Sequence, residues 1–493
     1  MDRKIRNLVI FLIFVISVAM HWNHFSKDLM SVHVWRQTQT QANIDNFYEE
    51  DMNIFNPRRD ARGGTDGIFR MEFPLMQWMV AALYKIFGQH LIITRLFMFL
   101  IFLLTVLGMH QLLLVIFNKP KLALMGAWAF SFSPNMFYYG VNPLPDNFAL
   151  ANAIWGMALF FTWINKNKQL TLLLSGLITG IAALVKLPFI IFYIVPGIYF
   201  VDLIVKKQFH KSHFIQAVSA LGFVLLPLLW YFTGIPDWEE NVIVKGMFGN
   251  EVPFAELLDY YQHTLFSSIP ELFVNYGALL FFIAGFYFLW KRKSFRNYKF
   301  KSLLALSITA LLYYFFEANA IAKVHDYYLF PFYPLLFILV GYGAFHLYQS
   351  GSKIIHYLTL LLLLILPLTA YLRMQDRWDP DHPGFNKDLL KYKTELRNVV
   401  PDNSLVSVGN DPSTSIFLYY INKKGFTFEQ DHLTGAWLKG MRNEGSEYLY
   451  TDSEVILQKP GVSDLLDKMI LQKGSIKVFR LKSRIDKNKQ IGN

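Results

Sequence analysis

Three kinds of side chain that do chemistry on polar substrates recur in the polar segments of this sequence. Arginine and lysine bind anions such as phosphate through charge-assisted hydrogen bonds. A carboxylate within hydrogen-bond reach accepts the proton of an attacking hydroxyl, and amide and aromatic groups orient a polar ligand. The candidate residues are Arg36, Gln37, Glu72, Asp146, Lys186, Lys323, His325 and Tyr328. These types predict a site that binds an anionic substrate and accepts a proton.

Each candidate also has a structural interpretation that the sequence leaves open. Asp146 follows Pro145 at the entry of an apolar segment and suits an N-cap, which accepts hydrogen bonds from free backbone N–H groups. Lys186, at the end of another apolar segment, is equally typical of a lysine that extends to the membrane interface. Arg36 and Glu72 lie in a polar stretch whose charges partly balance. A functional role is therefore inferred from these residues as a set and not from any one of them.

A cofactor is not expected. Glu72, Asp146 and His263 have groups that bind divalent ions, but their spacing matches no metal motif. The chain has no cysteine, which excludes disulfides, thiolate catalysis and cysteine-based zinc sites. We expect the site to work without a metal, and a divalent ion is the alternative.

The composition requires a membrane. The 493 residues are 54% hydrophobic and 17% charged, which is more apolar material than one soluble core can use. The formal net charge of +11 does not predict a nucleic-acid interface, because the basic residues lie in short loops between apolar runs. We therefore predict a multi-pass membrane protein.

Eleven apolar segments are expected to cross the bilayer as helices, since about 20 residues span its hydrocarbon core. They lie near residues 7–24, 91–117, 122–139, 148–164, 169–185, 188–205, 213–234, 273–290, 302–317, 327–349 and 353–372. The first has no signal-peptidase site and is expected to stay uncleaved. With a cytoplasmic N-terminus, the basic loops at Lys119, 206–213 and 291–301 all lie inside, as the positive-inside rule requires.

The same topology places the polar segments in one outer compartment. They are the first loop, 25–90, the turn 140–147, the loop 235–272 and the turn 318–326. Within the first loop, the apolar stretch 74–87 has about 14 residues, too few to span the bilayer. We predict an amphipathic helix on the outer membrane surface, with Pro74 in its first turn.

The tail has a different pattern. Residues 373–493 combine a helical signal, "NKDLLKYKTELRNVV", with the strand-like runs "SLVSVGND", "SEYLYTD" and "SIKVFRLK". The chain is thus expected to consist of an all-α polytopic membrane domain, 1–372, and a small extracytoplasmic α/β domain, 373–493.

Polar loops on one side of a helical bundle suit a reaction on a lipid-linked substrate, with its tail in the bilayer and its head in the loops. If the lipid is a polyprenyl phosphate that carries a sugar, cations must stabilise the departing phosphate. A carboxylate must accept the proton of the attacking hydroxyl. Both residue types lie on the predicted outer side.

The membrane part, 1–372, resembles the C-type glycosyltransferases, which use lipid-phosphate sugars, and among them the protein O-mannosyltransferase and aminoarabinose transferase branch. The resemblance rests on the order of a long first outer loop followed by "EFPLMQWMVAALYKIFG" (72–88), "TRL" (94–96), "NPLPDNFAL" (142–150), "GIAALVKLPF" (180–189) and "HDYYLFPFYPLL" (325–336). It implies the fold, about eleven transmembrane helices, and a polyprenyl-phosphate sugar donor.

One departure from the family pattern concerns charge. The family's first loop opens with an Asp-Glu pair whose Asp is taken as the catalytic base, and a later Lys helps to hold the donor phosphate. Here the corresponding positions are Arg36-Gln37 and Glu72. Our hypothesis is that Arg36 and Gln37 contribute to donor binding with Lys186, Lys323, His325 and Tyr328, while Glu72 or Asp146 accepts the proton.

The expected function is transfer of a sugar from a polyprenyl-phosphate donor to an envelope glycan, lipid or protein. A non-catalytic binder of lipid-linked sugars and a transporter or flippase are the alternatives. The large outer loops and the tail domain favour an enzyme over a transporter. The chain has neither cysteine nor an Asn-x-Ser/Thr sequon. A bacterial inner membrane, with the site facing the periplasm, is therefore the expected location.

Overall fold

The computed structural model describes residues 3–235, 245–246, 249, 252–291, 297–323 and 325–483. In these ranges eight helices are long and apolar enough to cross a membrane, or nine if Phe254–Val274 and Tyr276–Lys291, bent by 110°, form one span. The chain is mainly helical with a small C-terminal sheet, so the predicted fold class is confirmed. The count of eleven spans stays a prediction.

Helices follow one another along most of the described chain. They are α1 (Arg3–His21), α2 (Val34–Glu49), α3 (Leu75–Phe87), α4 (Leu91–Phe117), α5 (Pro120–Ser131), α6 (Pro134–Tyr139), α7 (Pro145–Lys166), α8 (Gln169–Val185), α9 (Ile194–Val205), α10 (Lys211–Leu221), α11 (Leu225–Gly234), α12 (Phe254–His263), α13 (Tyr276–Lys291), α14 (Tyr298–Phe316), α15 (Ala318–Lys323), α16 (Tyr333–Tyr348), α17 (Lys353–Met374), α18 (Lys387–Lys391), α19 (Lys393–Asn398), α20 (Ile416–Ile421), α21 (Gly435–Asn443) and α22 (Glu454–Gln458). Short 3-10 segments at Leu187–Tyr193 and Asp326–Phe332 precede α9 and α16.

The chain divides into two compact units. The first contains Met1–Lys27, Met71–Met76 and Leu91–Asp376, and the second contains Asp28–Arg70, Gln77–His90 and Arg377–Asn493. The first unit holds the membrane helices. The second joins most of the first outer loop to the C-terminal segment, an association that the sequence did not predict.

The centre of the first unit is formed by α7 and by the segment Asp326–Tyr348. In the most apolar part of that segment 83% of the residues are buried. In the most apolar part of Lys4–His24 only 17% of the residues are buried. Helices α13 and α16 approach closely because of two glycines. A Cβ on Gly285 would lie 2.0 Å from the carbonyl oxygen of Leu339, and one on Gly343 would lie 1.9 Å from that of Phe281. Small residues at such crossings are typical of membrane helix pairs.

One predicted span is interrupted. Residues 122–139 form two helices, α5 and α6, with a break at Phe132 and Ser133. Pro134 causes the break, because a residue before proline is pushed out of the helical region and Ser133 is extended. The first outer loop, in which the sequence predicted a helix at 74–87, also contains the 16-residue helix α2.

The second unit contains a five-stranded sheet. Its strands are β1 (Leu405–Gly409), β2 (Lys424–Thr427), β3 (Tyr448–Thr451), β4 (Leu466–Lys473) and β5 (Ile476–Leu481), in the order β2-β1-β3-β5-β4. The first three strands in that order are parallel, and the pairs that β5 makes with β3 and with β4 are antiparallel. The three strand-like runs in the sequence correspond to β1, β3 and β5, whereas β2 and β4 were missed.

The first outer loop extends this sheet at the β2 edge. Ala61 forms a parallel bridge with Gly425. The Gly425 N–H donates to the Asp60 carbonyl at 3.1 Å, and the Gly63 N–H donates to the Gly425 carbonyl at 2.9 Å. The side chain of Lys424 also pairs with the Asp60 carboxylate at 2.7 Å. The edge strand is therefore covered by the loop, which removes an open edge of the sheet.

We predict that Gly425→Ala destabilises the second unit. A Cβ at Gly425 would lie 1.9 Å from the carbonyl oxygen of Val406 in the neighbouring strand. Overpacking of this kind costs about 1–3 kcal/mol or more. Thermal unfolding of the full chain in detergent, followed by tryptophan fluorescence, should show a lower Tm. The control is Gly440→Ala in α21, where a Cβ meets nothing within 4 Å, and an equal loss in both variants would contradict the prediction.

Candidate active site

A buried ion pair lies at the centre of the candidate site. Asp146 is in the first turn of α7, after Pro145, and Lys186 directly follows the last residue of α8. The Lys186 Nζ lies 3.6 Å from the Asp146 Oδ2, with side-chain exposures of 10% and 2%. Because α7 and α8 are consecutive, the start of one and the end of the other lie on the same side of the bundle. A carboxylate in a first turn also interacts favourably with the helix dipole.

Two tyrosines contact the ammonium group of this pair. The Lys186 Nζ lies 4.7 Å from the ring centroid of Tyr328 and 5.8 Å from that of Tyr327. The imidazole of His325 is 4.9 Å from the Tyr328 ring, centroid to centroid. The structure thus brings together four of the predicted residues: Asp146, Lys186, His325 and Tyr328. Lys323 ends α15, but its side chain lies outside the described part of the chain.

The segment that contains the tyrosines is fixed by Asp326, which was not among the candidate site residues. The Tyr139 hydroxyl donates to the Asp326 Oδ1 at 2.7 Å, and the Asn135 amide donates to the Oδ2 at 3.1 Å. Both donors are buried and lie on α6. The position of Asn135 and Tyr139 in a short apolar stretch offered no signal of this role.

A buried arginine fixes the turn that leads into α7. The side chain of Arg95, in the first turns of α4, has no exposed surface. Its Nε donates to the carbonyl of Lys27 at 2.9 Å, and its Nη1 donates to the Asn142 Oδ1 at 2.7 Å. Arg95 thus holds the turn 140–147 and, through it, the start of α7, which contains Asp146. The sequence motif "TRL" includes Arg95 but did not indicate this role.

Glu72 is anchored by its two neighbours. The carbonyl of Met71 accepts a hydrogen bond from the Trp230 indole at 2.9 Å, and the N–H of Phe73 donates to the carbonyl of Leu184 at 3.3 Å. Leu184 is two residues before Lys186, so the backbone at Glu72 lies against the end of α8. The Glu72 side chain is partly exposed.

A further buried carboxyl of the first unit was missed by the sequence analysis. Glu317 follows the last residue of α14 and is 6% exposed. Burial raises the pKa of Glu317 to about 7, and the positive charge of Lys186 opposes part of that rise. Lys186 thus pairs with Asp146, and its positive charge also influences the pKa of Glu317.

Arg36 and Gln37 belong to the second unit, in the first turn of α2. Both are buried, with exposures of 6% and 0%. The Arg36 guanidinium donates to the side chain of Gln39 within the helix, and the Gln37 amide donates to the carbonyl of Val32 at 2.9 Å. The row of amides in "HVWRQTQTQ" is thus helical, and the binding role of Arg36 and Gln37 stays a prediction.

Asp45, later on the same helix, is a second unpredicted carboxyl with a perturbed ionisation. The Gln41 amide donates to its Oδ1 and to the Tyr84 hydroxyl, each at 2.9 Å. Desolvation raises the pKa of Asp45 to about 7.

Within the described ranges, no group of three or more His, Asp and Glu side chains is placed to hold a metal ion. The absence of a cofactor stays a prediction.

Sequence comparison identifies one family. Residues 72–231, about a third of the chain, match the family described as dolichyl-phosphate-mannose-protein mannosyltransferase. This range contains Glu72, Arg95, Asp146 and Lys186, and it excludes Arg36, where the charge departs from the family pattern. No curated protein matches the chain.

Solved structures extend the likeness to the whole chain. ArnT from Cupriavidus metallidurans bound to undecaprenyl phosphate has a TM-score of 0.66 and 11% identity, over 97% of this chain and 98% of that chain. The archaeal oligosaccharyltransferase AglB from Archaeoglobus fulgidus, in complex with an inhibitory peptide and a dolichol-phosphate, has a TM-score of 0.63 and 11% identity, over 91% and 69%. The arabinofuranosyltransferase AftD from Mycobacteria has a TM-score of 0.58 and 9% identity, over 98% and 40%.

The fold is that of the C-type glycosyltransferases. At such low identities the structures establish the fold, and they agree with the separate sequence match to the mannosyltransferase family. The expected resemblance to this superfamily, and to its mannosyltransferase and ArnT members, is confirmed.

We predict that Arg95→Lys lowers the stability of the protein. A lysine cannot hold the Lys27 carbonyl and the Asn142 side chain with one planar group, and hydrogen bonds that involve a charged group contribute about 1.5–3 kcal/mol each. The Tm in detergent should fall clearly. The control is Arg373→Lys, since Arg373 is 46% exposed and pairs with Glu271 at the surface, where ion pairs contribute little. A Tm equal to that of the control would contradict the assigned role of Arg95.

Proposed function

We propose that the protein is an integral-membrane glycosyltransferase that moves a sugar from a polyprenyl-phosphate donor to a hydroxyl of an envelope glycan, lipid or protein. The observation that carries this proposal is the buried Asp146–Lys186 pair beside Tyr327 and Tyr328. The fold is similar to those of ArnT, whose structure was solved bound to undecaprenyl phosphate, and of AglB, whose structure was solved with a dolichol-phosphate.

Lys186 is proposed to bind the donor phosphate. Its ammonium group has three donors, so it has the capacity to interact with Asp146 and with an anion at the same time. Burial lowers the local dielectric, so an interaction between the ammonium and a phosphate is stronger there than in water. Asp146 holds the ammonium in place. Arg36, Gln37 and Lys323 are proposed to add contacts to the donor.

The aromatic residues beside Lys186 suit the sugar. The ring centroids of Tyr328 and His325 are 4.9 Å apart. Each side chain has a ring face and a hydrogen-bonding group. Sugars pack their C–H surfaces on aromatic rings and bond their hydroxyls to polar tips. We propose that this pair orients the sugar above the phosphate.

Glu72 is the better of the two candidate bases. The Asp146 carboxylate is engaged by Lys186 and has 2% exposure, whereas Glu72 is partly exposed and its backbone is anchored beside Leu184. In the proposed step the acceptor oxygen forms a bond to the anomeric carbon, and the bond from that carbon to the phosphate oxygen breaks. The hydroxyl proton passes to Glu72, and polyprenyl phosphate leaves.

The site is proposed to face the periplasm of a bacterial inner membrane. The protein is multi-pass by the length and composition of its described helices. The basic loops predicted to be cytoplasmic support this orientation.

We predict that Glu72→Gln lowers kcat by about 10²–10⁴-fold, the usual contribution of a general base, with little change in donor KM. Arg36→Ala should raise donor KM. Transfer is measured with a radiolabelled polyprenyl-phosphate sugar and purified full chain in detergent. Glu271→Gln, a surface acid paired with Arg373, serves as the control. Full activity of both Glu72→Gln and Arg36→Ala would show that these site assignments are wrong.

The same assay separates the alternative functions. Detergent abolishes any gradient, so a transporter or a non-catalytic binder gives no transferred sugar there. Label in the acceptor fraction supports an enzyme, whereas bound but unchanged donor contradicts it.

We predict that Lys186→Met raises donor KM by about 10- to 100-fold, because a charge-assisted contact contributes about 1.5–3 kcal/mol. This variant also leaves the Asp146 carboxylate buried without its cation, which costs about 3–5 kcal/mol. The double variant Lys186→Met/Asp146→Asn should recover stability but not donor affinity. Lys206→Met, at a lysine with 49% exposure, is the control, and donor KM equal to that control would contradict the phosphate-binding role.

A further inference from the structure

The Glu317 carboxyl is buried without satisfying its hydrogen-bonding capacity. Its side chain is 6% exposed, and its Oε2 accepts no hydrogen bond from the described residues. A buried ionised carboxylate with an unsatisfied oxygen is costly, whereas a neutral carboxylic acid is much less so. The environment of Glu317 therefore favours the protonated form, which has an O–H to donate.

Glu317 lies in the same part of the first unit as the phosphate-binding lysine. Its ionisation responds to the charge of Lys186. One helical turn before Glu317, the Tyr313 hydroxyl donates to the carbonyl of Tyr328 at 3.2 Å, and the Tyr328 ring contacts the Lys186 ammonium at 4.7 Å. The end of α14 and the cation site thus share the Tyr328 segment.

Other titratable groups surround this end of α14. Tyr313 lies on the same helix, and His325, Asp326, Tyr327 and Tyr328 lie on or next to the 3-10 segment packed against it. Glu256, Asp259, Tyr260, Tyr261 and His263 lie on α12, which packs against α15. Asp146 reaches the site through its pair with Lys186. Among the charged groups of the described residues, Lys186 is the one that shifts the pKa of Glu317.

The charges at the site decide whether an anion can bind. With Glu317 ionised, the group formed by Asp146, Lys186 and Glu317 has two negative charges and one positive charge, which repels a phosphate. With Glu317 neutral, the charges of Asp146 and Lys186 cancel, so this repulsion is removed. A negative phosphate beside Lys186 would in turn stabilise the proton on Glu317.

We propose that Glu317 binds the donor phosphate as a neutral carboxylic acid that donates a hydrogen bond to a phosphate oxygen, so that donor binding requires a proton on Glu317. This inference rests on the proposed function, because it assigns a second residue to the same phosphate. Glu317 contributes to donor affinity, and the bond-breaking step is left to the residues named above.

The proposal gives donor binding a defined pH dependence. Burial raises the pKa of Glu317 to about 7, so the neutral form that binds the donor is lost as the pH rises through that value. Affinity is then full below about pH 7 and weakens above it, by up to about tenfold per pH unit. Glu317→Gln keeps a neutral hydrogen-bond donor of similar size at every pH.

The test measures the Kd of undecaprenyl phosphate for the full chain in detergent, from about pH 6 to about pH 9, by isothermal titration calorimetry. The phosphate ionises identically with both proteins, so the ratio of wild-type Kd to Glu317→Gln Kd isolates Glu317. We expect the ratio to rise by about 10- to 100-fold over this range. Glu271→Gln should keep the wild-type dependence, since Glu271 pairs with Arg373 at the surface.

A second variant, Glu317→Leu, separates the loss of the charge from the loss of the hydrogen-bond donor. Glu317→Leu removes the charge without supplying a donor, so its Kd should be weaker than that of Glu317→Gln but should have the same pH dependence. A wild-type to Glu317→Gln ratio that is constant with pH overturns the role of Glu317 alone. If neither the wild type nor any variant binds undecaprenyl phosphate at any pH, both this role and the proposed function are wrong.

Discussion

The Asp146–Lys186 ion pair is the interaction on which the organisation of the first unit depends. It joins the start of α7 to the end of α8 at 3.6 Å, where both side chains are almost fully buried. Two charges are stable in such a place only if each has its partner, because desolvation of an isolated ion costs several kcal/mol. The pair therefore keeps a positive charge inside an apolar bundle. Its neighbours Tyr327 and Tyr328 cover that charge on one side.

The supporting residues fix the two ends of this pair by different means. Arg95 holds the turn before α7 through a backbone carbonyl and the side chain of Asn142, and Asp326 holds the tyrosine segment through Tyr139 and Asn135. In each case a charged group makes hydrogen bonds to neutral partners on another helix or turn. These bonds hold the two segments that flank the ion pair.

In the second unit, backbone hydrogen bonds play the organising role. Residues 60–63 of the first outer loop bond to Gly425 at the edge of the sheet, and Ser415, before α20, donates to the carbonyl of Trp35 in α2 at 3.0 Å. The loop that departs from the family pattern in charge is therefore part of a folded unit with the C-terminal segment. Its buried Arg36 and Gln37 lie on an ordered helix.

The sequence by itself determined that this is a multi-pass helical membrane protein and located the strands β1, β3 and β5. It also proposed Asp146, Lys186, His325 and Tyr328 as candidate site residues, which the structure places near one another. Hydropathy, periodicity and the charges of loops are properties of neighbouring residues, so they can be interpreted without knowing the fold. Tertiary structure alone decided that Asp326 binds Tyr139, that Arg95 binds Asn142, and that the first outer loop extends the C-terminal sheet. These contacts join residues 47 or more positions apart, and no local pattern specifies them, because they depend on how the helices and strands pack.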